Sequence, residues 1–70
     1  MSNAPIPADL PAEAIGFVAV RPDRPERLAL FRRDGTLSNS FAQDQDAAEV
    51  AAILTGAGFR VAGAAVFRDA

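Results

Sequence analysis

Gly16-Phe17-Val18-Ala19-Val20-Arg21 is apolar at both alternating sets of positions and is bounded by glycine and proline, which predicts a first strand. Pro22-Asp23-Arg24-Pro25-Glu26 predicts a loop, because two prolines three apart suit neither a helix nor a central strand. From Arg27 to Arg33 a second strand is expected, with Leu28, Leu30 and Arg32 on one side and Ala29, Phe31 and Arg33 on the other. Asp34-Gly35 is a two-residue hairpin signal, since a type I′ turn needs positive φ at both positions. A third strand over Thr36–Phe41 would carry Leu37 and Phe41 on one face.

The pattern then changes period. Asp44 or Asp46 can cap a helix, and Asp46 with Glu49 three residues on has capping-box spacing. Ala47, Val50, Ala51, Ile53, Leu54 and Ala57 form one broad apolar stripe, and Gly56 and Gly58 end the helix. Phe59–Arg68 predicts the last strand, with Gly63 as a bulge. Pro5, Pro7 and Pro11 make residues 1–14 a proline-rich arm, leaving residues 15–70 as a single domain. The expected fold class is α+β, a small antiparallel sheet in the order β-β-β-α-β with one helix packed on one face. Both faces of the first two strands are apolar, yet one helix covers only one of them. The other face must therefore meet the arm or a second chain.

Composition sharpens this picture. The chain has 70 residues, and half are apolar, but sixteen of those are alanine. A core of that size rarely supplies more than roughly 3–5 kcal/mol of net stability. With no cysteine and no histidine, neither a disulfide nor a structural zinc site can staple it. Association is the remaining common solution, and a homodimer is expected. All seven positive charges are arginine, which with the alanine content fits a GC-rich bacterial or phage coding sequence. The net charge of −2 implies neither a basic nucleic-acid tail nor an acidic disordered chain. The N-terminus has no basic region followed by an apolar run, and Val50–Phe59 is about half the ~20 residues a membrane span needs. A cytoplasmic protein without membrane contact is expected.

The catalytic inventory is thin. Histidine and cysteine are missing, and no lysine or histidine is present to activate a serine or threonine. Asp44, Asp46 and Glu49 lack calcium-loop spacing and are explained by the helix start, where acids face the positive end of the macrodipole. Gly56-Ala57-Gly58 falls at a helix C-terminus, the wrong end for phosphate. No enzyme activity, cofactor or metal is expected.

Two features remain for partner contact. Residues 17–35 carry five arginines against three acids, and Arg24, Arg27, Arg32 and Arg33 are candidate contacts for an anionic partner. The hairpin of residues 27–41, ending in Ser40-Phe41 and followed by an alanine-rich helix, resembles over residues 27–54 the three-strand-plus-helix DNA-binding arm of phage-type integrases. That resemblance implies a sheet entering the major groove with its arginines on phosphates and bases. The chain lacks the lysines and the Trp or Tyr that such sheets commonly present. The second feature is the back of the helix. Ala48, Ala52 and Gly56, spaced by four with Thr55 beside them, are small enough for close approach of another helix, and Phe31 is a candidate contact on the sheet. The favoured expectation is a small protein-binding module. Phage and mobile-element proteins of this size often inhibit larger complexes stoichiometrically, anti-CRISPR proteins among them. A nucleic-acid-binding sheet is the alternative, and a subunit of a larger assembly the third.

Overall fold

The computed structural model describes residues 3–68, with β1 (Gly16–Arg21) and β2 (Arg24–Arg32) paired antiparallel near the middle of a sheet. β3 (Leu37–Ser40), α1 (Ala47–Gly56), β4 (Phe59–Ala62) and β5 (Ala65–Arg68) follow, and the sheet order is β3-β2-β1-β5-β4. Every pairing is antiparallel. The α+β class and the single helix agree with the pattern, whereas the strand count does not. Phe59–Arg68 is a hairpin, not one bulged strand. Gly63 has φ +60 and Ala62 pairs with Ala65, which leaves a two-residue loop with positive φ at its first position alone. That is the requirement of a type II′ turn, and one glycine satisfies it.

Three further details depart from the expected pattern. β2 begins at Arg24 and includes Pro25, because the register jumps from Val20–Leu28 to Arg21–Arg24 and leaves Pro25, Glu26 and Arg27 in an irregular stretch where a missing N–H costs no ladder bond. The Asp34-Gly35 hairpin exists, but only Gly35 has positive φ, at +89. Gly35 N–H donates to Arg32 O and Arg32 N–H to Thr36 O, both at 2.8 Å, so the loop has three residues and closes with a glycine bulge. Finally, Leu37 and Phe41 lie on opposite faces. Leu30 pairs with Asn39 but Phe31 with Leu37, so Ser38 is an extra residue that inverts the alternation.

α1 starts as its sequence dictates. Asp46 Oδ1 accepts from Glu49 N–H at 2.9 Å, and Glu49 Oε1 accepts from Asp46 N–H at 3.4 Å. The helix ends where Ala57 N–H reaches the Ile53 and Leu54 carbonyls. The buried stripe is narrower than expected: Val50 and Leu54 are buried, Ala51 is half-buried, and Ala47, Ile53 and Ala57 are exposed.

The sheet separates two apolar layers. On the helix side Phe41, Val50, Leu54 and Val66 pack with Ile15, Leu28, Leu30 and Phe59. On the other side Phe17 and Phe31 are paired directly across β1 and β2, their ring centroids 5.5 Å apart and the planes at 20°. Ala4 and Leu10 of the arm cover them, and Ala14 packs beside them on Ala65 and Phe67. Ala4 N–H donates to Gly35 O at 2.9 Å, Ile15 N–H to Val66 O at 2.8 Å, and Asn3 bridges Thr36. The face that had to meet the arm or a partner meets the arm.

Candidate interaction surface

Arginine placement follows the irregular ends of the strands. Arg21 grips Asp23 across the β1–β2 turn through Nε to Oδ1 at 3.1 Å and Nη2 to Oδ2 at 2.7 Å, and its Nη1 donates to Ser40 Oγ at 3.0 Å. The carboxylate holds the Arg21 guanidinium pKa above its already high usual value. Arg33 Nη1 donates to Pro11 O at 2.8 Å and also to Ala14 O, so it ties the arm to the hairpin. Arg32 Nη1 donates to Leu37 O at 2.8 Å and Thr36 Oγ1 at 3.3 Å. Asp34 accepts from Thr36 N–H and Oγ1–H, and these bonds, with Arg32 nearby, hold its carboxyl below the usual carboxylate range.

The four arginines proposed for an anionic partner therefore divide. Arg32 and Arg33 spend donors on internal carbonyls. The guanidinium groups of Arg24 and Arg27 make no hydrogen bond or ion pair among the described residues. The two pairs sit towards opposite ends of the nine-residue β2 and form no common patch. A sheet with a helix on one face can offer only its other face to a DNA groove, and here residues 4–14 cover that face.

Ala48, Ala52 and Thr55 are exposed on the outer side of α1. Phe31 is instead a core residue with no accessible surface, because Ala4 and Leu10 close over it. No group of three or more potential metal-ligating side chains occurs among the described residues. None of the described helices is long and apolar enough to cross a membrane.

The open apolar surface lies elsewhere. A cleft of about 260 Å³ runs between the first turns of α1 and the sheet, lined by Val18, Leu28, Ala47, Ala51, Val61 and Ala64. No charged residue lines it. Val20, directly opposite Leu28, continues it and is 50% exposed. The cause is dimensional. α1 packs over β4 at one edge, and a helix about 10 Å across covers only part of a sheet that spans about 19 Å between its outer axes, so one helix cannot roof the sheet. Strand periodicity alone assigns Val18 and Val20 to a core. The division of Phe59–Arg68 into two strands widens the sheet beyond the helix and leaves them at its open side.

A second cleft of about 250 Å³ opens on the other side of the Gly63-Ala64 turn, between Pro7, Leu10, Pro11 and Phe67, with the charged Asp9 in its wall. No family model matches the chain, and neither the curated proteins nor the solved structures contain a match to it.

Proposed function

We propose that the chain is a non-enzymatic protein-binding module that seats an apolar side chain or short apolar segment of a partner protein in the helix-side cleft. The supporting observation is the uncharged cleft continuous with the half-exposed Val20. An apolar recess that a single helix leaves open gives a partner both burial area and a shape to fill. Stoichiometric inhibition of a larger complex is the mode of action that suits a module of this size. Nucleic-acid binding is the weaker alternative, because Arg32 and Arg33 are internally engaged and the arm occupies the sheet face.

The test is affinity capture from the chain's own cells with the wild-type protein and with Val20→Asp, followed by titration of the purified partner by calorimetry. A partner that binds the wild type one to one, and binds the folded Val20→Asp variant at least about ten-fold more weakly, supports the proposal. Equal binding by both proteins overturns it. Submicromolar, steeply salt-dependent affinity for duplex DNA, lost in Arg24→Ala/Arg27→Ala, would establish the alternative.

A further inference from the structure

The two edges of the sheet differ. β3 is polar (Leu-Ser-Asn-Ser), carries the Ser38 bulge, and is preceded by the Asn3–Thr36 bridge. These are the usual protections of an edge strand. β4 (Phe-Arg-Val-Ala) pairs regularly with β5 and has no proline, bulge or acid. Its single charge is drawn back across the sheet, with the Arg60 guanidinium 4.2 Å from the centroid of the Phe67 ring.

The direction of the free groups on β4 follows from bonds on the far side of β5. Ile15 N–H donates to Val66 O and Val18 N–H to Ala64 O, each at 2.8 Å, so Ala64 and Val66 bond towards β1. Alternation in an antiparallel ladder then turns Ala65 and Phe67 towards β4, where Ala62 and Arg60 face them. Phe59 and Val61 are left with N–H and C=O groups pointing out of the sheet.

The helix adds a second, independent observation. α1 packs over β4 and lines the cleft with Ala47, Val50 and Ala51. At 100° per residue Ile53 projects from the flank away from the cleft, beside the free side of β4, and is 43% exposed. Ile53 belongs to none of the hydrophobic clusters formed by the described residues.

We infer that β4 is a homodimerisation edge, at which a second copy of this chain adds its own β4 antiparallel about a two-fold axis at Val61. This inference goes beyond the cleft reading and does not rest on it. With Val61 opposite Val61 of the second copy, each exchanges an N–H···O=C pair with the other, using the groups that point outward. Phe59 then faces Gly63 and Arg60 faces Ala62, so no like charges oppose one another. Shifting the axis to Arg60 sets the two guanidinium-bearing residues directly opposite, which is unfavourable. Same-face pairing puts both helices on one side of a continuous sheet and turns each Ile53 to the junction.

Sedimentation equilibrium from micromolar to millimolar concentration measures the association. The wild type dimerises in this range; a monomer throughout overturns the inference. Ala62→Glu places a carboxylate opposite Arg60 of the second copy at two symmetric positions and tightens the dimer by roughly three- to ten-fold, whereas Ala62→Arg loosens it by a similar factor. A dimer indifferent to both changes contradicts the Val61 register. Chemical synthesis of the 70-residue chain with N-methylated Val61 removes the outward donor while keeping the side chain and the β4–β5 ladder. This variant keeps the monomer's melting temperature and dimerises at least about ten-fold more weakly. Unaltered dimerisation places the interface elsewhere and overturns the edge assignment.

Discussion

The two faces of the sheet are covered by opposite means, and they leave different residues open. Opposite the helix, an irregular proline-rich arm leaves Phe17, Ala29 and Phe31 with no accessible surface. Beneath the helix, Val50, Leu54 and Val66 are as well buried, but Val20 stays half exposed and a cleft remains beside it. Regular structure buries one stripe at a fixed radius, so a short helix fills the strip below it and no more. An arm without secondary structure follows the contour of the sheet, provided its backbone finds partners. The Gly35 carbonyl, the Val66 carbonyl and Arg33 supply them. Over the aromatic pair the residues with the least secondary structure make a complete seal, while each face keeps a cleft, the arm's with Asp9 in its wall and the helix's without a charged residue.

The largest effect belongs to the sealed face. Phe31→Ala removes half of the Phe17–Phe31 pair where no solvent reaches, and costs about 3–5 kcal/mol, comparable to the whole stability of a domain this small. Circular dichroism should show an unfolded or barely folded chain; a cooperative melt near the wild-type temperature would mean the arm does not seal that face. Leu54→Ala empties the strip under the helix and costs about 2–5 kcal/mol, read as a lower denaturant midpoint.

Arg33→Ala leaves the apolar contacts in place and removes the donor that joins the hairpin to Pro11 and Ala14. About 1–2 kcal/mol is expected, since the charge-assisted bonds are partly exposed. Amide exchange should quicken at Ala14, whose N–H is bonded within the arm, more than at Val50 in the helix.

Acid weakens the same hairpin. The folded Asp34 carboxyl lies below its unfolded range, so its contribution is complete above the ordinary aspartate range and is lost as pH falls through the folded value. The melting temperature should therefore fall on acidification less steeply in Asp34→Ala than in the wild type. Equal slopes would show that the Thr36 bonds do not hold the carboxylate in solution. The smallest effect is at Ala52, on the outer face of the helix, where Ala52→Glu should change stability by no more than about 0.5 kcal/mol.

What the sequence made legible was local. Asp46 and Glu49 cap the helix because their spacing alone brings each side chain to the other's N–H. Asp34-Gly35 turns the chain because Gly35 takes the positive φ and Asp34 accepts from Thr36, although the three-residue form depends on how Thr36 pairs with Arg32. Gly63 was misread as a bulge because one glycine serves a bulged strand and a type II′ turn equally, and the choice depends on whether β5 finds β1. The extra residue at Ser38 has no composition of its own, yet it sends Leu37 and Phe41 to opposite faces. Of the candidate contacts, Ala48, Ala52 and Thr55 lie outward as the helical wheel places them. The burial of Phe31, the engagement of Arg33 and the exposure of Val20 all depend on segments distant in the chain.

The most direct test of the contrast between the two faces is paramagnetic relaxation enhancement of methyl resonances by a soluble gadolinium chelate. Ala4 and Ala29, 7% and 0% exposed, should be shielded, and the Val20 methyls, at 50%, strongly enhanced. Enhancement of Ala4 and Ala29 to the level of Val20 would show the arm detached from the sheet and would contradict the account.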